Sequence, residues 1–288
     1  LSAEIQVISA VPATSQANTD DRLIELWLHG RNELTRRAYA ADIEAFRAHV
    51  AMPMRAITIG DLQGWLDTLP GAPASRARKL AAVKSLLAFA TRINYVPFNV
   101  GAAVRAPAVT RVLAERILSE EEVIRLLALE RDPRNHALIR LLYLAALRVS
   151  EICAMRWKDC KARKPAGQIT IIGKRNKVRA ILLPESMWRE LVALKGTAGA
   201  DDPVFRSRQG GTLDPMSVQR IVKAAAVRAG LPKDVSPHWL RHAHCSHALD
   251  RGANPALVRD TAGHADLKVT SVYSHARPNE SSSLFLIG

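Results

Sequence analysis

One segment of this 288-residue chain carries β-branched runs on both sides of a polar tip: residues 168–183, QITIIGKRNKVRAILL. That pattern predicts a β-hairpin. Around it, apolar residues recur at helical spacing. Leu23, Ile24, Trp27 and Leu28 do so after Asp20 and Asp21, and Tyr39, Ile43 and Phe46 after Thr35. Ser75 is placed to cap a helix whose Leu80, Val83, Leu87 and Ala90 share one face. Ser119 with Glu122 forms a capping-box pattern for a helix through about Glu130. Ser236, Pro237 and Gly252 bracket another helix, and Asn254, Pro255 and Gly263 a shorter one. The run His136 to Trp157 is helical in composition, with a break near Ala145 left open. A mainly α fold with a small antiparallel sheet follows.

Punctuation and charge divide the chain. Residues 104–116, VRAPAVTRVLAER, have no sustained apolar period and contain Pro107, so they read as a linker. A helical domain over 19–103 precedes it and a second domain over 117–277 follows. Residues 1–18 are expected to form a flexible tail and 278–288 a C-terminal tail. No stretch approaches 18 consecutive apolar residues, so no spanning helix and no membrane partner are expected. Cys153, Cys160 and Cys245 lack ligand-like spacing and read as reduced cytoplasmic thiols.

The formal net charge is +14, from 41 Lys and Arg against 27 Asp and Glu, which points to a polyanionic partner. Between Asp67 and Glu115 the chain has no acidic residue but carries Arg76, Arg78, Lys79, Lys84, Arg92, Arg105 and Arg111. Between Asp159 and Glu185 it repeats the pattern with Lys161, Arg163, Lys164, Lys174, Arg175, Lys177 and Arg179. Two such stretches suit a protein gripping a phosphate backbone, since each neutralised phosphate releases counterions. Arg76, Arg78, Lys79, Lys84, Arg92, Arg175, Lys177 and Arg179 are the candidate DNA contacts. Solvated surface charge is the plainer alternative.

Taken singly, the residues able to do chemistry have ordinary explanations. Arg148 in ALRVSEI could pair with Glu151, Lys174 could be a solvated tip residue, and His264 after Gly263 could be a cap. His238 and Arg241 stand three apart, on one helical face, where a phosphate would suit them. Their order is more telling: Arg148, Lys174 on the hairpin, His238-x-x-Arg241, His264 in GHAD, then Tyr273 in TSVYSH. This succession resembles the tyrosine recombinase (phage integrase) family, Xer-like or simple integrase branch, over roughly residues 20–277.

The resemblance implies a two-domain DNA clamp: a helical N-terminal core-binding domain and an α-rich catalytic domain. It implies strand cleavage and rejoining through a 3′-phosphotyrosine intermediate, with Tyr273 as nucleophile. Arg148 and Arg241 would stabilise the phosphorane charge, Lys174 would protonate the leaving 5′-oxygen, and His238 and His264 would complete the phosphate pocket. Which histidine removes the phenolic proton stays open, as does the choice between Lys174 and Lys177. No cofactor, metal or ATP is expected. The partners would be double-stranded DNA and further copies of the chain, a dimer on one site and a tetramer in the synapse, in the cytoplasm at the nucleoid. The C-terminal tail would dock on a neighbouring protomer.

The chain departs from the family pattern in four places. Ala145-Ala146 stands where Thr-Gly is common, and Gly173-Lys174-Arg175 lacks a second glycine. Ala262-Gly263 replaces Leu-Gly, and Asn99-Val100 replaces Asn-Pro. Three other readings compete: a type IB topoisomerase, a noncatalytic DNA-binding protein, and a metal-dependent hydrolase built on His238, His242, His244 and His247.

Overall fold

The structure is a computed structural model that describes residues 16–108, 117–164, 166–173, 177–264, 266, 270–271 and 273. The chain divides into two compact units, Leu1–Arg111 and Val112–Gly288.

The first unit holds α1 (Asp20–Leu28), α2 (Glu33–Val50), α3 (Ile59–Thr68) and α4 (Pro73–Arg92). Their starts follow local chemistry: Thr19 and Asn32 cap α1 and α2, and Thr58 with Asp61 closes a full capping box on α3. Helix α4 starts earlier than Ser75. Its N-cap is Ala72 and Pro73 takes the first turn, where a fixed φ and a missing N–H cost nothing. The core is built from Leu23, Phe46, Leu62, Trp65, Leu80 and Leu86, with Phe46 edge-on to Trp65 at 4.9 Å between centroids.

The second unit begins with α5 (Glu120–Ala128), opened by the Ser119–Glu122 capping box, and α6 (Pro133–Leu144). The open question near Ala145 resolves as a break. Helix α6 stops at Leu144, the chain turns through Ala145 to Leu147, and α7 (Val149–Ala154) follows. Ala137, Leu138, Ile139, Leu141 and Leu142 are all fully buried, so α6 is apolar around most of its circumference and forms the axis of the unit.

The hairpin forms as β2 (Ala166–Ile172) and β3 (Val178–Leu183), and β1 (Cys160–Arg163), which the sequence reading did not pick out, pairs antiparallel with β2. Ile169 and Ile171 on β2 and Ile181 and Leu183 on β3 turn to the core, with Ile169 opposite Ile181 and Ile171 opposite Arg179. The remaining helices are α8 (Glu185–Ala193), α9 (Pro215–Arg228), α10 (Pro237–Asp250) and α11 (Pro255–Ala262). Helix α10 packs against α6, and α11 against β3.

Among the described residues no helix is long and apolar enough to cross a membrane. The N-terminal tail up to residue 15, residues 109–116 of the expected linker and the C-terminal tail 278–288 lie outside the described residues.

Helix α8 meets the sheet at Gly167 on β2, where a Cβ would lie 2.2 Å from the Trp188 ring. Gly167→Ala therefore has to displace a packed indole, and we expect it to cost about 1–3 kcal/mol of stability. A denaturant midpoint equal to that of the parent protein would show that Trp188 yields freely.

Candidate active site

The site is assembled at the C-terminal end of α6, the start of α7, strand β3, helix α10 and the turn after α11. Arg148 is the residue before α7, in extended backbone. Its backbone N–H donates to Glu151 Oε2 at 2.8 Å and its Nη1 to Glu151 Oε1 at 2.8 Å. Its Nη2 donates to the Gly263 carbonyl, also at 2.8 Å. The pairing with Glu151 that the plainer reading offered is thus present, and the guanidinium additionally spans to the far side of the site.

Arg179 departs furthest from expectation. Instead of facing solvent as a DNA contact, it lies only 12% exposed and grips Glu151 with both terminal nitrogens, at 3.0 and 2.8 Å. Its Nε donates to the Thr261 carbonyl at 2.9 Å. Strand alternation explains this: Arg179, Ile181 and Leu183 share the inward face of β3. Burial pushes the Glu151 carboxyl up, but hydrogen bonds from Arg179 and from the Arg148 backbone outweigh it and hold the group below its ordinary value.

Two turns aim backbone carbonyls into the site. Ala146 adopts φ 48°, the left-handed region that a Cβ disfavours, and its carbonyl accepts from Arg241 Nη1. A glycine, which the family resemblance leads one to expect here, would have an evident use, yet the turn forms with Ala146. Gly263 has φ 65°, and a Cβ there would come within 2.9 Å of Arg179 Nη1. Both its conformation and its close neighbour call for glycine.

Helix α10 supplies Arg241 and the histidines. Ser236 is its N-cap residue, without a side-chain capping bond, and Pro237 opens the first turn. Arg241 is 2% exposed. Burial, and then the charge of Arg148, bring its guanidinium down to about 10, so it stays protonated at neutral pH. Burial and the charges of Arg241 and Arg148 bring His264 down to about 4, leaving a neutral ring. Arg148 reaches the Gly263 carbonyl, beside His264, and Arg241 the Ala146 carbonyl, two residues before Arg148, so the two arginines border a common region.

Tyr273 is 3% exposed and packs with Ala146, Cys245, Leu249, Val258 and Ala262. Its hydroxyl is hydrogen-bonded to His242 Nδ1. Burial, with Cys245 beside it, pushes the phenol well above its ordinary value, and Arg241 partly opposes this. The His264 ring lies parallel to the phenol at 6.4 Å between centroids, and its Nδ1 is bonded to Thr270 Oγ1 at 3.0 Å. His238 is exposed and sits edge-on to His242 at 4.2 Å.

The structure thus brings together Arg148, His238, Arg241, His264 and Tyr273. Lys174 and Arg175 lie outside the described residues. Lys177 is exposed, and its carbonyl accepts from Gly173 N–H at 2.7 Å, closing the base of the tip. A Cβ on Gly173 would be 3.8 Å from Glu151 Oε1, so the root of the tip adjoins the site.

In the first unit, several cations from the basic stretch have internal partners. Arg76 Nη2 donates to the Leu66 carbonyl, Arg78 is paired with the buried Asp42, and Lys84 Nζ donates to the Val104 carbonyl. Lys79 is half-buried, while Arg92 is exposed.

The histidines proposed as an alternative metal site separate into two groups. His247 Nδ1 is 3.0 Å from the Tyr143 hydroxyl and His244 lies edge-on to the same ring, whereas His242 meets Tyr273 and His238 sits against His242. Among the described residues no three His, Cys, Asp or Glu side chains form a group that could hold a metal ion. Sequence reasoning missed the roles of Arg179 and His242. The first was signalled by alternation with Ile181 and Leu183, the second by its four-residue spacing from His238.

Residues 116–280 match the model of the phage integrase family, and residues 23–94 match that of the phage integrase N-terminal SAM-like domain. Tyrosine recombinase XerC of Xanthomonas campestris pv. campestris is 34% identical over 209 residues, covering 70% of this chain and 64% of that protein. Tyrosine recombinase XerC of Corynebacterium efficiens is 30% identical over 259 residues, covering 85% and 82%. In fold, the chain is similar to a lambda integrase (75–356) dimer bound to a COC′ core site, with TM-score 0.74, 20% identity and 91% and 95% coverage. It is also similar to XerH bound to its difH substrate, with TM-score 0.70, 20% identity and 94% and 85% coverage.

Replacing Glu151 by Gln leaves Arg148 and Arg179 without their shared counter-charge, and we expect a loss of about 3–5 kcal/mol. A carboxyl held below its ordinary value adds stability above its unfolded value of 4.5, and that stability is lost as pH falls through the lower folded value. Thermal melts of parent and Glu151→Gln should therefore differ at pH 7 and converge in acid. A gap that stayed constant with pH would contradict the ion-pair account.

Proposed function

The chain belongs to the phage integrase family of tyrosine recombinases, and from that premise we propose that it is a site-specific DNA recombinase. It cuts and rejoins strands through a 3′-phosphotyrosine, with Tyr273 as the nucleophile. The observation that carries this reading is the convergence of Arg148, bonded to the Gly263 carbonyl beside His264, and Arg241, bonded to the Ala146 carbonyl, from distant parts of the chain around a buried Tyr273 that packs with Ala146.

Three guanidiniums, those of Arg148, Arg179 and Arg241, are set against the single carboxylate of Glu151, so the site holds an excess of positive charge. A phosphodiester supplies the missing negative charge, and the transition state more of it, because charge accumulates on the nonbridging oxygens. Arg148 is held on three hydrogen bonds and Arg241 on the Ala146 carbonyl, so neither has to be ordered when the substrate arrives. That preorganisation lowers the cost of the chemical step.

His238 and His264 complete the phosphate pocket. Lys174, following Gly173 at the hairpin tip, donates the proton to the leaving 5′-oxygen, with Lys177 as the alternative. The tyrosyl ester conserves the phosphodiester energy, so rejoining needs neither ATP nor a metal ion.

Double-stranded DNA is the proposed partner, gripped through exposed members of the basic stretches such as Arg92 and Lys177. Lambda integrase is known as a dimer on a core site and as a tetramer on a Holliday junction. We take the same dimer and tetramer for this chain, with residues 278–288 docking on a neighbouring protomer, in the cytoplasm at the nucleoid.

A binding site can be recovered by selecting a randomised duplex pool with Tyr273→Phe protein, then nicked to make a substrate that traps the covalent product. A denaturing gel should show the protein–DNA adduct for the parent chain and none for Tyr273→Phe. Arg148→Ala or Arg241→Ala should slow adduct formation by about 10²–10³-fold. Duplex affinity should fall by no more than a few-fold, because other phosphate contacts hold the complex. Parallel losses of affinity and cleavage would make these arginines general anchors.

A further inference from the structure

His242 has no part in the reaction as set out above, yet it is hydrogen-bonded through Nδ1 to the Tyr273 hydroxyl. The ring centroids of the two lie 5.6 Å apart. His264 has its Nδ1 on Thr270 Oγ1 and its ring parallel to the phenol. His238 reaches the site from the solvent side, edge-on to His242. Exposure falls along this row: His238 is exposed, His242 half-buried and Tyr273 buried.

We propose that His242 is the catalytic base for Tyr273, accepting the phenolic proton on Nδ1, with His238 linking it to solvent. The inference rests on the recombinase reading and assigns a proton acceptor within it.

The need for a base is physical. A phenol of ordinary acidity is ionised to only about one part in a thousand at neutral pH. Burial of Tyr273 reduces that fraction further. In the step proposed, a bond forms between Tyr273 Oη and the scissile phosphorus while the phenolic proton moves to His242 Nδ1. The bond from phosphorus to the 5′-oxygen breaks, its electron pair stays on that oxygen, and the oxygen takes a proton from the general acid at the hairpin tip. No oxidation or reduction occurs. Rejoining reverses each transfer, and His242 returns its proton to the phenol.

Helix geometry supports the assignment. Residues four apart lie one above the other on a helix face, so His242 sits one turn along α10 from His238 on the same face, and it is the more buried of the two. Arg241, next in sequence, turns its side chain into the core toward Ala146. One helical turn thus delivers both an arginine for the phosphate and an imidazole for the nucleophile.

The test compares the parent chain with His242→Ala and His242→Asn on the nicked duplex described above, and on the same duplex with sulfur in place of the 5′-bridging oxygen. Sulfur leaves without protonation, so it relieves loss of a general acid and not loss of a base. Asn keeps an amide near the position of Nδ1 but cannot take up a proton. Both variants should form adduct about 10²-fold or more slowly than the parent on both duplexes. Added imidazole should restore part of the His242→Ala rate, with duplex affinity and melting temperature unchanged.

Adduct formation by His242→Asn within about threefold of the parent, or recovery of either variant on the sulfur duplex, would overturn the assignment. If His242→Ala melts at a lower temperature, the Asn variant alone decides. Absence of adduct from the parent chain itself would remove the recombinase reading and this inference with it. Parent adduct together with undiminished variants would remove only the role of His242.

Discussion

Glu151 is the residue on which the geometry of the site depends. Its carboxylate, 5% exposed, receives hydrogen bonds from the Arg148 backbone, the Arg148 guanidinium and both terminal nitrogens of Arg179. Each arginine then reaches a carbonyl at the end of α11, Arg148 at Gly263 and Arg179 at Thr261. Helix α7, strand β3 and the turn carrying His264 are thereby tied to one anion. A buried carboxylate is tolerated only when its lone pairs are matched this completely. Loss of that match would release three elements together.

What Glu151 does not neutralise is left for a ligand. One carboxylate faces Arg148 and Arg179, while Arg241 is buried against a neutral carbonyl. Burial first, and then the remaining positive charge, push Arg241 and His264 toward their neutral forms. In the proposed reaction a scissile phosphate offsets this unfavourable arrangement, and a more highly charged transition state offsets it further. The protein has met the cost of placing the cations during folding, through Glu151, Ala146 and Gly263.

Much of the helical framework was legible locally. The Ser119–Glu122 capping box, the Pro237 and Pro255 starts and the Gly263 stop act over three or four residues, and each appears where its residues stand. Failures came where local signals competed or were weak. Pro73 opened α4 ahead of Ser75, and β1 lacks the β-branched residues that announce β2 and β3. The ordered set Arg148, His238, Arg241, His264 and Tyr273 was found by family resemblance, since no single member is distinctive in its own segment.

The sequence by itself determined the mainly helical framework with one hairpin, the excess of positive charge, and the identity of the arginines, histidines and tyrosine. Only the tertiary structure decided which cations face a ligand and which face a carboxylate. Arg179 lies in a stretch without acidic residues, yet both its terminal nitrogens are taken up by the distant Glu151, whereas Arg148 shares that carboxylate and also spans to Gly263. Likewise the partner of Tyr273 is His242, thirty-one positions earlier. Charge and helical period are properties of neighbouring residues, whereas a hydrogen bond between distant ones exists only after α6, β3, α10 and α11 have packed into a shared core.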